Sequence, residues 1–130
     1  MMNLSKLFII HAIITFAAGL VLILAPGFIP QAIGLRLDPD AYFLAYLLGA
    51  AEISMALLSW MGRNLKHQPA LRVISWTLIV FHALSAAVEL LAFIQGVNVL
   101  ILVNIAVRIT AITFLSYHGL LTIPISSRRT

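Results

Sequence analysis

Residues 80–90 read VFHALSAAVEL, an apolar stretch that nevertheless holds a histidine, His82, and a glutamate, Glu89, seven residues apart. On a helix of 3.6 residues per turn, that spacing puts both on one stripe, with Ser85 between them. The apolar run extends back to Pro69 and forward to Gln95, more than the roughly 20 residues needed to cross a hydrocarbon core. The segment therefore reads as a membrane-spanning helix with a polar seam, and the remaining chain has to hide that seam.

Three further segments have the same character, from Leu4 to Ala25, Pro39 to Met61 and Asn98 to Leu120. Four spans nearly exhaust 130 residues, so the expected fold is all-α: a polytopic membrane protein forming one antiparallel four-helix transmembrane bundle over residues 1–130. Composition agrees. The chain is 62% hydrophobic and only 9% charged, with a mean hydropathy of +1.09, whereas soluble domains carry about 25% charged residues. With no cysteine, disulfide frameworks, thiolate metal sites and thiol redox chemistry are excluded.

The joints between spans follow from turn chemistry. Asp38 is expected to cap the second span, with Pro39 at its first position and Asp40 favoured by the positive helix end; Pro69 opens the third. The sequence QGVN, residues 95–98, offers Gly96 for a left-handed helix end and Asn98 as the next cap. A tight hairpin between the third and fourth spans follows. Between Pro26 and Leu37 two prolines and two glycines break the helix while Phe28, Ile29, Ile33, Leu35 and Leu37 stay apolar, as in a short helix lying in the membrane interface. The first span is too long for a secretory h-region and lacks a small-x-small cleavage site before Pro26, so it is read as a retained anchor.

A formal charge of +4 is compatible with nucleic-acid binding, but the basic residues sit at segment ends and read as topology signals, so no nucleic-acid partner is expected. Lys6, Arg63, Lys66, Arg72, Arg128 and Arg129 fall on one side, and Arg36 alone on the other, beside Asp38 and Asp40. Excess positive charge marks the cytoplasmic side. The expected location is a bacterial inner membrane with both termini cytoplasmic and the bilayer as first partner.

Ionisable groups at membrane depth cost about 2.5–3.5 kcal/mol each on insertion scales, so they face the interior and pair. The expected cluster comprises Arg108, Glu89, Glu52, His82, His11, Asn104 and Ser85, with Thr15 also at membrane depth. Centring the hairpin near Gly96 and Val97 brings Glu89 level with Asn104 and Ser85 level with Arg108. Arg108 keeps its charge and needs a carboxylate; Glu89 is the first choice and Glu52 the second. Two acids against one arginine leave one over, expected to hydrogen-bond His82 or hold a proton. His11 and His82 invite a haem, but their estimated depths differ by about 8 Å at 1.5 Å per residue, so core histidines are the preferred reading. No catalytic residue and no metal site emerge; Ser54, Ser59 and Ser75 lack the surroundings of a nucleophile. Ala45 with Gly49, and Ala18 with Gly19, read as close-packing positions between helices.

The stretches LAPGFIPQAIGL (24–35), LDPDAYFLAYLLGAAEISMALLSW (37–60) and VFHALSAAVEL (80–90) resemble small bacterial four-span inner-membrane proteins loosely similar to the DoxX-like group. The matching features are Ala25-Pro26-Gly27, Asp38-Pro39, Gly49 to Glu52 and Phe81 to Ala83. The resemblance implies an accessory subunit of a quinone-linked membrane complex, without chemistry of its own. The expected function is accordingly that of a structural or accessory membrane protein that forms a homo-oligomer or joins a larger complex. Two alternatives are a binder of a lipophilic molecule (quinone or lipid, less so haem), lidded by residues 26–37, and a proton or ion pathway.

Overall fold

The computed structural model describes residues 3–122; Arg128 and Arg129 lie outside the described residues. Four helices are long and apolar enough to cross a membrane, Leu4–Leu24, Pro39–Gly62, Gln68–Ile94 and Ile101–Leu121, and the fold is the expected four-helix bundle. We label the elements α1 (Leu4–Leu24), α2 (Phe28–Ala32), α3 (Tyr42–Gly62, preceded by a 3-10 turn Pro39–Ala41), α4 (Gln68–Ile94) and α5 (Ile101–Ser116, continued by a π-helical turn Tyr117–Leu121).

Each helix start has its own solution for orphaned backbone N–H groups. Asn3 Oδ1 accepts from the Lys6 amide at 2.9 Å. His67 caps α4 by accepting from the Ala70 amide at 3.3 Å, with Pro69 in the first turn. Asp38 makes no side-chain capping bond, contrary to expectation; its extended backbone and Pro39 set the start instead. Asn98 accepts from the Leu100 amide at 3.0 Å, one turn ahead of α5, and Gly96 takes the expected left-handed conformation at φ +99°. The five-residue α2 buries none of its residues and leaves Phe28 67% exposed. The left-handed Gly34 behind it packs on Asn98, so a Cβ there would stand 3.1 Å from the asparagine Cβ. This contact ties the segment that follows α2 to the α4–α5 turn.

Burial is inverted relative to a soluble protein. Ile13, Leu24, Leu84 and Val88 are more than half exposed, while His11, Thr15, Glu52, Ser59, Ser75, His82 and Arg108 are buried. Buried positions recur at alternating intervals of four and three, through Phe8, Ala12, Thr15, Gly19 and Leu22 on α1 and Ala45, Gly49, Glu52, Ala56 and Ser59 on α3. That repeat averages 3.5 residues and marks the seam of a left-handed helix pair. The bundle consists of two tight pairs, α1 with α3 and α4 with α5, joined by thinner seams. In the first pair the backbones nearly touch: a Cβ on Gly19 would lie 2.7 Å from the Gly49 carbonyl oxygen, and one on Gly49 would lie 2.8 Å from that of Gly19. Apolar packing concentrates at the end holding the N-terminus and the α3–α4 loop, where Phe8, Leu78 and Leu115 are fully buried with Leu7, Ile74 and Ile79. At the same end Arg72 donates to the Leu120 carbonyl at 3.0 Å, satisfying a group within the π-helical turn.

Candidate functional site

Between the apolar end and the α4–α5 turn lies a layer of polar side chains drawn from all four spans. Arg108, on α5, is its centre: Nε donates to Glu89 Oε1 at 2.8 Å, Nη2 donates to Glu52 Oε1 at 3.5 Å, and Nη1 lies 3.4 Å from His82 Nδ1. Asn104, one turn earlier on α5, donates to the same Glu89 oxygen at 2.6 Å, so the register expected for the hairpin is observed. Both glutamates serve the guanidinium, with Glu89 the closer. The other oxygen of Glu89 is buried without a hydrogen-bond partner. The surplus acid does not bond His82, as had been one expectation, because both nitrogens of that imidazole are otherwise engaged.

From His82 the network runs on. His82 Nε2 lies 2.8 Å from His11 Nε2, and His11 Nδ1 lies 2.8 Å from Ser59 Oγ, which donates to the Met55 carbonyl at 3.0 Å. Arginine offers only donors, and this fixes every direction in the chain. His82 Nδ1 must accept, so its proton sits on Nε2 and is donated to His11 Nε2; the His11 proton then sits on Nδ1 and is donated to Ser59. Both imidazoles are neutral, in opposite tautomers. The two rings meet edge to face, with centroids 5.1 Å apart.

The estimated depth mismatch between His11 and His82 is overturned. It assumed helices starting level, but α4 has 27 residues to the 21 of α1 and at 1.5 Å per residue is about 9 Å longer. The offset at its start lets His82 reach the level of His11. The contact also removes the haem geometry. Metal–imidazole bonds are about 2 Å, so two nitrogens on opposite faces of one iron stand about 4 Å apart, whereas these two bond each other. Ser85, expected in the cluster, turns away and donates to the carbonyl of Phe81 at 2.8 Å. Ser59 belongs in its place. The signal for it was present in the four-three stripe that carries Gly49 and Glu52.

Beside this layer, α1 and α5 stand apart enough to leave a cleft of about 450 Å³, with His11, Thr15, His82 and Leu115 among the residues lining it. Residues 26–37 line neither this cleft nor a second, largely apolar groove of about 520 Å³ on the α1–α3 pair, so that segment is no lid for either. Compared with known proteins, the chain matches no family model, no curated sequence and no solved structure.

Proposed function

We propose that this chain is a structural or accessory protein of a bacterial inner membrane, with both termini cytoplasmic, in which the polar layer clamps four spans into one defined arrangement. The observation that carries the reading is the unbroken run of bonds from Met55 O through Ser59, His11, His82 and Arg108 to Glu89 and Asn104. It touches every span, and it closes at both ends on groups that exchange no proton, a backbone carbonyl and an amide. At its centre stands a guanidinium, which keeps its protons throughout. A proton passed from His11 to His82 meets only the guanidinium beyond it, so the network favours a clamp over a pathway. Buried polar groups that fix how elements face one another are the best-attested use of such costly contacts. Membership of a DoxX-like group is part of this proposal and rests on the sequence stretches quoted above.

Blue-native electrophoresis of gently solubilised membranes tests the reading. The tagged chain is expected in a discrete assembly well above its own 14.2 kDa, and Glu89→Gln, by loosening the clamp, should disperse it. A chain that runs as a monomer, and whose liposomes leak protons in a manner abolished by Glu52→Gln, would replace the clamp with a pathway.

A further inference from the structure

The cleft between α1 and α5 has a property that helix clamping does not call for. Thr15 is 95% buried (5% exposed) and lines it, yet its hydroxyl makes no hydrogen bond among the described residues. Six other hydroxyls in the spans behave differently: Ser54, Ser59, Thr77, Ser85, Thr110 and Thr113 each donate to the carbonyl four residues back. Ser75 also lacks a partner, but it is fully buried and does not line the cleft. In a bilayer core there is no water to make up the deficit. We propose that the α1–α5 cleft is a binding site for an uncharged lipophile bearing a carbonyl oxygen, held by the Thr15 hydroxyl.

The surroundings define that chemistry. No charged side chain lines the cleft, and Arg108 is spent on the two glutamates and His82, so a charged headgroup finds no partner. Both imidazoles at the floor have their nitrogens engaged, which leaves Thr15 as the free hydrogen-bonding group. Entry is lateral: Ile10 and Ile14 on one rim and Val103 and Val107 on the other are each about half exposed or more, facing lipid. The volume falls within the range of about 300–1,000 Å³ typical of small-molecule sites. Depth excludes a phospholipid. Thr15 lies 11 residues into α1, about 16 Å from its start, which is close to the midplane of a hydrocarbon core about 30 Å thick. A phospholipid keeps its ester groups at the surface, whereas a neutral lipophile can carry a carbonyl to the midplane.

Photolabelling in nanodiscs tests this with the intact chain. The probes are a long-chain aliphatic ketone with a mid-chain carbonyl and a diazirine, and the matching diazirine alkane. The ketone is expected to label the α1 and α5 rims in preference to the alkane. Thr15→Val, which keeps shape and removes the hydroxyl, should lower that preference roughly fivefold, the worth of one hydrogen bond of about 1 kcal/mol. Thr15→Ser should retain it, and Ala111→Phe, by filling the cleft, should abolish rim labelling by both probes. Equal labelling by ketone and alkane, or a ketone preference unchanged in Thr15→Val, overturns the site. Either result leaves the clamp standing, because Thr15 is no member of the hydrogen-bond chain.

Discussion

Arg108 shows how an expensive residue organises its neighbours. Removing one partner of a buried pair leaves an uncompensated charge and costs about 3–5 kcal/mol, but its two glutamates are not equivalent. Glu89 makes the short bond and also receives Asn104, while Glu52 bonds only at 3.5 Å. Ionised together, the two acids exceed the arginine by one negative charge. Glu89→Gln loses the closer charge and puts an amide N–H₂ where a buried oxygen has no partner, so a loss of about 3 kcal/mol is expected in detergent unfolding. Glu52→Gln leaves one acid against one base and should stay within about 1 kcal/mol of the parent; a larger loss there than at Glu89 contradicts the asymmetry. A second prediction concerns the imidazoles. Nitrogen-15 solid-state NMR should find His82 protonated on Nε2 and His11 on Nδ1, and a doubly protonated ring at either position breaks the directional chain. The Arg108–Glu89 pair was legible in the sequence because hairpin partners follow from counting residues away from Gly96. The His11–His82 contact was not legible, because it depends on the axial offset between two helices that no loop joins.

For the helices, small residues decide which faces meet. Gly49 was readable as a contact position from its spacing to Ala45, but which span it meets depends on three-dimensional pairing, and the structure gives Gly19 on α1. With each Cα under the other's carbonyl, even a methyl group has to push the backbones apart. Gly19→Ala and Gly49→Ala are each expected to cost about 2 kcal/mol, within the usual range for overpacking. The double substitution should cost clearly less than the sum, because separation caused by one already makes room for the other. Additive losses measured by detergent unfolding would argue against a shared contact. Gly96 differs, because a Cβ there meets nothing within 4 Å while φ is +99°. Gly96→Ala should therefore cost about 1–2 kcal/mol through backbone conformation alone. The joints were mostly legible because proline, glycine and asparagine act locally. The unused Asp38 cap was not, since a side chain that suits a cap does not have to make one.

Across the whole molecule, the asymmetry of charge makes a prediction about which way the bundle sits. Lys6, Arg63, Lys66 and Arg72 gather at the end holding the N-terminus and the α3–α4 loop; Arg36, Asp38 and Asp40 lie beside the other end. Transfer of the basic end across the membrane would carry four cations against one, so the basic end is expected to stay in the cytoplasm. The chain has no cysteine, so a single introduced thiol reports one position without background. Gln31→Cys, on the exposed face of α2, and Val99→Cys, beyond the α4–α5 turn, should react with a membrane-impermeant maleimide in intact cells. Asn64→Cys, in the α3–α4 loop, should react only after the membrane is opened. The reverse pattern would invert the bundle and place α2 on the cytoplasmic side. Labelling of both sets in intact cells would mean that these four basic residues at one end do not fix the insertion of the bundle.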